Sequence, residues 1–255
     1  MPTDQNGQSD PKLEPEQSLP EQSPLEPSLS GRFDAVPAPA VRRLSLYLRE
    51  LELLLAANRR TISSRELGSS LGYTDAQVRK DLTYFGQFGH PGVGYRVNEL
   101  IVRIRCILGT DRMWKALVVG AGNLGQALSS YRGFLKKGFQ VVAVFDNDPE
   151  RVSRPIDGNS GGDWGDDSGV EVFAFDRVAE IIAGKGIELG ILAVPAEAAQ
   201  RVADQLVEAG IKGILNFAPT SISVPEGIAL ASVDLSVHLE QLAFRICTSR
   251  VGMPQ

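Results

Sequence analysis

Hydrophobic positions along this chain change their period part-way through, and the change separates two kinds of architecture. Between Pro39 and Ala57, Val41, Leu44, Leu48, Leu51 and Leu55 recur at three- and four-residue steps, the spacing of one face of an amphipathic helix. Ser63-Ser64-Arg65-Glu66 then has the Ser-x-x-Glu form of a capping box and opens a short helix that Gly72 ends after Leu71. Thr74-Asp75-Ala76-Gln77 has the related Thr-x-x-Gln form and opens a helix through Tyr84. Two short helices joined by a tight glycine-containing turn form a helix-turn-helix pattern. Phe88, Val93, Tyr95 and Val97 alternate around a Gly/Pro turn, which predicts a small hairpin and hence a winged helix. A further helix runs from Leu100 to Leu108, where Gly109 stops it.

From Lys115 the pattern becomes apolar runs alternating with helical stretches. Strands are expected at 116–119, 139–145, 189–194, 211–217 and 228–232, and helices at 124–136, 176–183 and 196–209. Such alternation predicts an α/β fold with a doubly wound parallel sheet. The Gly- and Asp-rich stretch 159–168 is expected to be a surface loop. A last helix, 234–248, carries Leu235, Leu239, Leu242 and Ile246 on one face, to be covered by its own domain or by a second copy. Residues 1–35, rich in Pro, Gln, Ser and Glu, read as a disordered tail. The division expected is therefore 1–35 tail, 36–112 winged helix, 113–232 sheet domain and 233–250 terminal helix.

Charge changes the picture once it is resolved along the chain. The net charge of −5 disfavours phosphate binding overall. Yet residues 1–34 hold seven acidic side chains against two basic ones, whereas residues 41–112 hold twelve basic against seven acidic. Phosphate attraction depends on local potential, so the winged-helix segment is the one suited to DNA. In its second helix Val78, Leu82 and Phe85 form the inward stripe. Gln77, Arg79, Lys80, Thr83 and Tyr84 lie on other faces, as base- or phosphate-reaching groups or simply as a solvated surface. The wing's glycines allow close approach to a minor groove. The N-terminus lacks a basic-then-apolar leader, and no apolar run approaches the ~20 residues of a membrane span. Cys106 and Cys247 have no metal-like spacing and read as buried free thiols of a reducing cytoplasm.

The chemistry lies in Gly120-Ala121-Gly122-Asn123-Leu124-Gly125, a Gly-x-Gly-x-x-Gly loop between an expected strand and an expected helix. Its glycines let backbone amides approach a pyrophosphate, whose charge the helix N-terminus favours. Asp146 closes the next strand, 26 residues beyond Gly120. Its carboxylate suits two free ribose hydroxyls and repels a 2′-phosphate, so NAD(H) is expected over NADP(H). The loops Val194-Pro195-Ala196-Glu197 and Asn216-Phe217-Ala218-Pro219 follow strand ends and line the same crevice, unless their prolines merely terminate strands. His90 and His238, the two histidines, sit in the wing and in the last helix, away from that crevice, which weakens an NAD-dependent oxidoreductase reading. A coenzyme A module is a third reading, but Asp146 fits an adenosine ribose with free hydroxyls better.

With these residues in hand, the chain resembles the redox-sensing transcriptional repressor Rex family from about Val36 to Thr248. The resemblance is carried by Val78-Arg79-Lys80-Asp81-Leu82-Thr83-Tyr84-Phe85-Gly86, Gly92-Val93-Gly94-Tyr95, Gly120–Gly125, the stretch from Gly210 to Pro219, and Val233-Asp234-Leu235. It implies a homodimer with a winged helix, a Rossmann domain and a terminal helix swapped onto the partner, bound to double-stranded operator DNA when NADH is low. It assigns DNA contact to Arg79, Lys80 and Tyr84 and to the wing from Gly92 through Gly94 to Tyr95. Tyr131, Asp234 and Arg49 match positions near the nicotinamide and the domain interface, and Asp146 matches the ribose-binding acid. The implied switch has Asp234 alternate between Arg49 and Tyr131. The chain departs from the family at His90-Pro91, where relatives commonly carry a basic residue, and in a longer 159–168 loop.

Overall fold

The computed structural model describes residues 36–89, 92–152, 155–156 and 169–251. The expected tail, the His90-Pro91 departure and the 159–168 loop lie outside them.

The reader half begins with α1 (Ala38–Ala56), followed by β1 (Thr61–Ile62), α2 (Ser64–Leu71), α3 (Asp75–Thr83), β2 (Tyr95–Arg96) and α4 (Val97–Ile107). Its core draws Leu44, Tyr47, Leu48 and Leu51 from α1, Leu67 from α2, Val78 and Leu82 from α3, and Val97, Leu100, Ile101 and Ile104 from α4. Each such large apolar side chain contributes roughly 1.5–3 kcal/mol by leaving water. Both capping motifs start helices as expected. Ser63 Oγ accepts from the Glu66 amide at 3.1 Å and the Glu66 carboxylate accepts from the Ser63 amide at 2.9 Å. The Ser63 backbone and hydroxyl, with Arg59, hold that carboxyl down at about 2. At α3 only half the box forms, because Thr74 Oγ1 accepts from the Gln77 amide while the Gln77 side chain reaches forward to Asp81.

The turn of the expected hairpin, His90-Pro91, lies outside the described residues, and beyond it β2 pairs antiparallel with β1, residue 95 opposite 62. The Val97 amide donates to the Arg60 carbonyl at 2.9 Å, which pins the strand to β1, and α4 starts three residues before Leu100. Gly94, at φ +84°, is required by that approach: a Cβ there would lie 2.6 Å from the Ile62 carbonyl oxygen.

The second half holds β3 (Trp114–Val119), α5 (Asn123–Ser129), α6 (Gly133–Lys136), β4 (Phe139–Asp146), β5 (Pro155–Ile156), β6 (Val170–Ala174), α7 (Val178–Lys185), β7 (Leu189–Leu192), α8 (Ala196–Glu208), β8 (Gly213–Asn216) and β9 (Ala229–Ser232). The sheet order is β5-β6-β4-β3-β7-β8-β9, parallel except for β5. This is the doubly wound arrangement, with the topological switch at β3, between β4 and β7. Leu117 and Val119 pack toward α7 and α8, and Val118 toward Leu128 and Phe134, so β3 reads as one continuous apolar run.

Two expectations are corrected here. β6 was not expected at all. The helix expected over 124–136 is two helices, since Ser129 and Ser130 hydroxyls bond back to the Gly125 and Gln126 carbonyls and end α5. The last helix, α9 (Leu235–Val251), keeps Leu235, Leu239, Leu242, Phe244 and Ile246 exposed in the single chain. Its apolar face is therefore not packed on its own domain. Among the described residues no helix is long and apolar enough to cross a membrane. Cys106 is half-buried and Cys247 exposed, against the expectation of two buried thiols.

Candidate functional site

The glycine loop uses its three glycines for three different purposes. Gly120 turns at φ +101°, and a Cβ there would lie 2.4 Å from the Ala193 carbonyl oxygen, so this residue permits the strand-to-loop turn beside β7. Gly125 brings α5 onto β3 so closely that a Cβ would lie 1.7 Å from the Gly120 oxygen. Gly122 differs, because its added Cβ would meet nothing nearer than Arg151 Nη1 at 3.8 Å. The space over Gly122 is thus open for a pyrophosphate, with the first amides of α5 from Asn123 and Leu124 lacking intrahelical acceptors. Ala121 is buried, whereas Asn123 and Leu124 are exposed at the mouth.

Asp146 stands at the end of β4 as expected. Its Oδ2 accepts from the Ala121 amide at 2.6 Å and its Oδ1 from the Asp148 amide at 2.8 Å. Arg151, which sequence reasoning missed, lies 3.4 Å from Asp146 Oδ2 and 3.1 Å from Asp148. The Asp-x-Asp-Pro-x-Arg run was the signal that could have found it. Pro195 is exposed and precedes α8, at the strand-end edge. Asn216 is fully buried, with Nδ2 donating to Thr220 O at 2.8 Å and Oδ1 accepting from the Ala218 amide at 2.9 Å. Its side chain therefore fastens its own loop. Tyr131 is 60% exposed between α5 and α6, its ring edge-on to Phe134 at 5.1 Å.

On the reader half, Arg79, Lys80 and Tyr84 project outward from α3. Arg79 pairs with Asp75 at 2.8 Å, an exposed contact of the kind that contributes little and yields readily to phosphate. Gln77 Nε2 donates to Asp81 Oδ1 at 2.7 Å, and Tyr95 is 8% exposed, within the core. The first seats α3 and the second anchors the wing. Gly92, at φ +77°, has open space around it.

Asp81 is the residue sequence reasoning passed over. It is fully buried, receives Arg43 Nε at 2.5 Å and Nη2 at 2.7 Å, and accepts from the Tyr47 hydroxyl at 2.8 Å. Burial works to raise its pKa, but the bonds from Arg43, Tyr47 and Gln77 outweigh that and hold the carboxyl below the usual range. Within one chain no hydrogen bond or ion pair among the described residues joins Asp234 to Arg49 or Tyr131. Asp234 caps α9 instead, accepting from the Ser236 amide at 2.8 Å, and Arg49 is exposed on α1. His238 is also exposed, its Nδ1 2.8 Å from the Asp234 carbonyl oxygen. Among the described residues no group of three or more His, Cys, Asp or Glu side chains could hold a metal ion.

Fold and site together define a winged-helix module joined to a Rossmann-type nucleotide domain. A family model described as a putative DNA-binding protein N-terminus matches residues 35–83, and one described as a CoA binding domain matches residues 111–220. The chain is 47% identical over 211 residues to the redox-sensing transcriptional repressor Rex of Carboxydothermus hydrogenoformans, covering 83% of this chain and 96% of that one. To the repressor of the same description from Rhodopirellula baltica it is 46% identical over 208 residues, covering 82% and 83%. The crystal structure of RSP in complex with β-NAD⁺ and operator DNA matches with a TM-score of 0.77 at 40% identity, covering 85% of this chain and 94% of that one. RSP in complex with β-NADH matches at 0.74 and 38%, covering 85% and 97%. The chain belongs to the Rex family of redox-sensing transcriptional repressors.

Proposed function

We propose that this protein represses transcription as a homodimer on double-stranded operator DNA and releases it when NADH fills the nucleotide site. The observation that carries this reading is the open space over Gly122, in a chain that also presents Arg79, Lys80 and Tyr84 outward from a capped helix. Relatives crystallised with operator DNA and β-NAD⁺, and with β-NADH, support it. So does the exposed apolar face of α9, which a second copy would bury. We divide the chain into a winged helix over 36–112, a nucleotide domain over 113–232 and a dimerisation helix over 233–250, and place it in the cytoplasm, where its two ligands are.

In this reading the glycine-loop amides hold the pyrophosphate, and Asp146 exchanges its bond to the Ala121 amide for the ribose hydroxyls. A 2′- or 3′-phosphate would meet that carboxylate, which disfavours both NADP(H) and coenzyme A. Tyr131, Pro195 and the loop fastened by Asn216 flank the nicotinamide. The oxidised ring is cationic and the reduced ring neutral, and only such a difference can shift a two-state equilibrium. Asp234 of one subunit alternates between Arg49 and Tyr131, and the Arg49 pair holds the α3 helices at operator spacing. On DNA, Arg79, Lys80 and Tyr84 contact the duplex while Gly92 and Gly94 let wing backbone approach it.

Fluorescence polarisation on labelled operator with NAD⁺ and NADH added separately tests the reading. Tight binding with NAD⁺ and release with NADH is expected, with Asp234→Ala blunting the release. Redox-indifferent binding overturns the reading, and normal release by Asp234→Ala removes Asp234 from the switch. Turnover of nicotinamide with a small alcohol or acid would favour an oxidoreductase instead. Lys80→Ala is expected to weaken operator binding and to reduce the slope of log affinity against log salt by about one. An unchanged salt titration takes Lys80 off the phosphate backbone.

A further inference from the structure

The reader half and the nucleotide half meet through charges. Glu52 on α1 is largely buried at that meeting point, its side chain 24% exposed. One carboxylate oxygen accepts from Arg105 of α4 at 2.9 Å, and the other accepts from Lys137, which caps α6 in the nucleotide half. Burial works to raise the Glu52 pKa, but Lys137 and Arg105 outweigh it and keep the carboxyl below its usual value. A cleft of about 250 Å³, open to solvent, adjoins the pair, lined among others by Leu48, Thr110, Met113 and Leu135. The Thr110 hydroxyl is buried there without a partner among the described residues. Close-packed interfaces transmit strain over their whole area, whereas this one is pinned by ion pairs beside a cleft open to solvent.

Each end of the bridge leads to a functional element. Lys137 follows the short helix α6, whose Phe134 packs against Tyr131. Glu52 sits on the helix whose Arg43 and Tyr47 hold Asp81 of α3. A run of direct contacts therefore joins Tyr131, α6, Glu52, α1 and α3 inside one chain. Glu52 also has Arg105 as a second cation within its own half. Should α6 carry Lys137 away, the carboxylate would not be left buried and unpaired, so both arrangements are tolerable.

We propose that the Glu52–Lys137 bridge is the intrachain link through which displacement of α6 reaches the DNA-reading helix, making both residues positioning residues for NADH-driven release. This rests on the functional reading above and adds to it a second coupling route, distinct from the pairing of Asp234 with Arg49.

The test compares operator affinity of the full chain without nucleotide and with saturating NADH, for wild type, Glu52→Gln, Lys137→Met and the double variant. Each single change is expected to cut the ratio of the two affinities by roughly fivefold or more. The double change is expected to cut it no further, because both remove one interaction. NADH affinity of the DNA-free protein should stay within about twofold, and Lys137→Arg, which keeps the charge, should restore the ratio. Unchanged ratios in both single variants, or losses that multiply in the double, overturn the proposal while wild-type release leaves the functional reading intact. A wild type that ignores NADH overturns both.

Discussion

Replacing Asp81 by alanine is expected to unfold the reader module at temperatures where the rest of the chain survives. The carboxylate is fully buried and is the shared acceptor for Arg43, Tyr47 and Gln77. Removing it leaves a guanidinium, a hydroxyl and an amide without their acceptor, and truncating one member of a buried ion pair costs about 3–5 kcal/mol. For a module of this size that lowers the denaturation midpoint by more than about 10 °C. Circular dichroism during thermal denaturation would follow it, and a midpoint within about two or three degrees of wild type, a difference of about 0.5 kcal/mol, would show that the buried carboxylate does not hold the module together. The pH dependence has a definite sign. A carboxyl held below its unfolded value of about 4 stabilises the fold above that pH and loses the contribution as pH falls through the folded value. Wild type should therefore lose more stability than Asp81→Ala on acidification below pH ~4.

Asp81 also marks the boundary of what the sequence made legible. The inward stripe Val78, Leu82 and Phe85 is plain from helical spacing, yet nothing in that spacing marks Asp81, beside Leu82 on the same side, as buried. Its partners, Arg43 and Tyr47, are four residues apart on α1, so one face of that helix presents both; nothing local says that the two faces meet. The same limit applies to Gln77 and Tyr95, whose type suits DNA contact and says nothing of the bond from Gln77 to Asp81 or of the burial of Tyr95. Long-period signals carried better. Alternating strands and helices from Lys115, and the placing of Gly120–Gly125 between β3 and α5, follow from local pattern alone. The strand β6 was missed because Val170–Ala174 is short and lies behind a Gly- and Asp-rich run. The break between α5 and α6 came from two serine hydroxyls competing for helix carbonyls, a signal that was present as Ser129-Ser130 before Tyr131.

Single methyl groups at Gly125 and Gly122 should separate the structural and the ligand-facing parts of the loop. At Gly125 the added Cβ would lie 1.7 Å from a backbone oxygen that cannot move without displacing β3. The start of α5 must shift instead, taking the Asn123 and Leu124 amides with it. Gly125→Ala is therefore expected to lower thermal stability of the nucleotide domain and to weaken NADH binding by at least about 100-fold, or ~2.7 kcal/mol. At Gly122 the Cβ has nothing nearer than 3.8 Å, so Gly122→Ala should melt like wild type. It should nonetheless bind NADH poorly, because the methyl stands where a pyrophosphate must approach the backbone. Neither change touches α3, so both variants should hold operator without nucleotide and fail to release it at NADH concentrations that free the wild type. Calorimetric titration with NADH alongside thermal melts decides the matter. A Gly122→Ala protein that binds NADH as tightly as wild type would mean that the open space over this glycine is not where the phosphates lie.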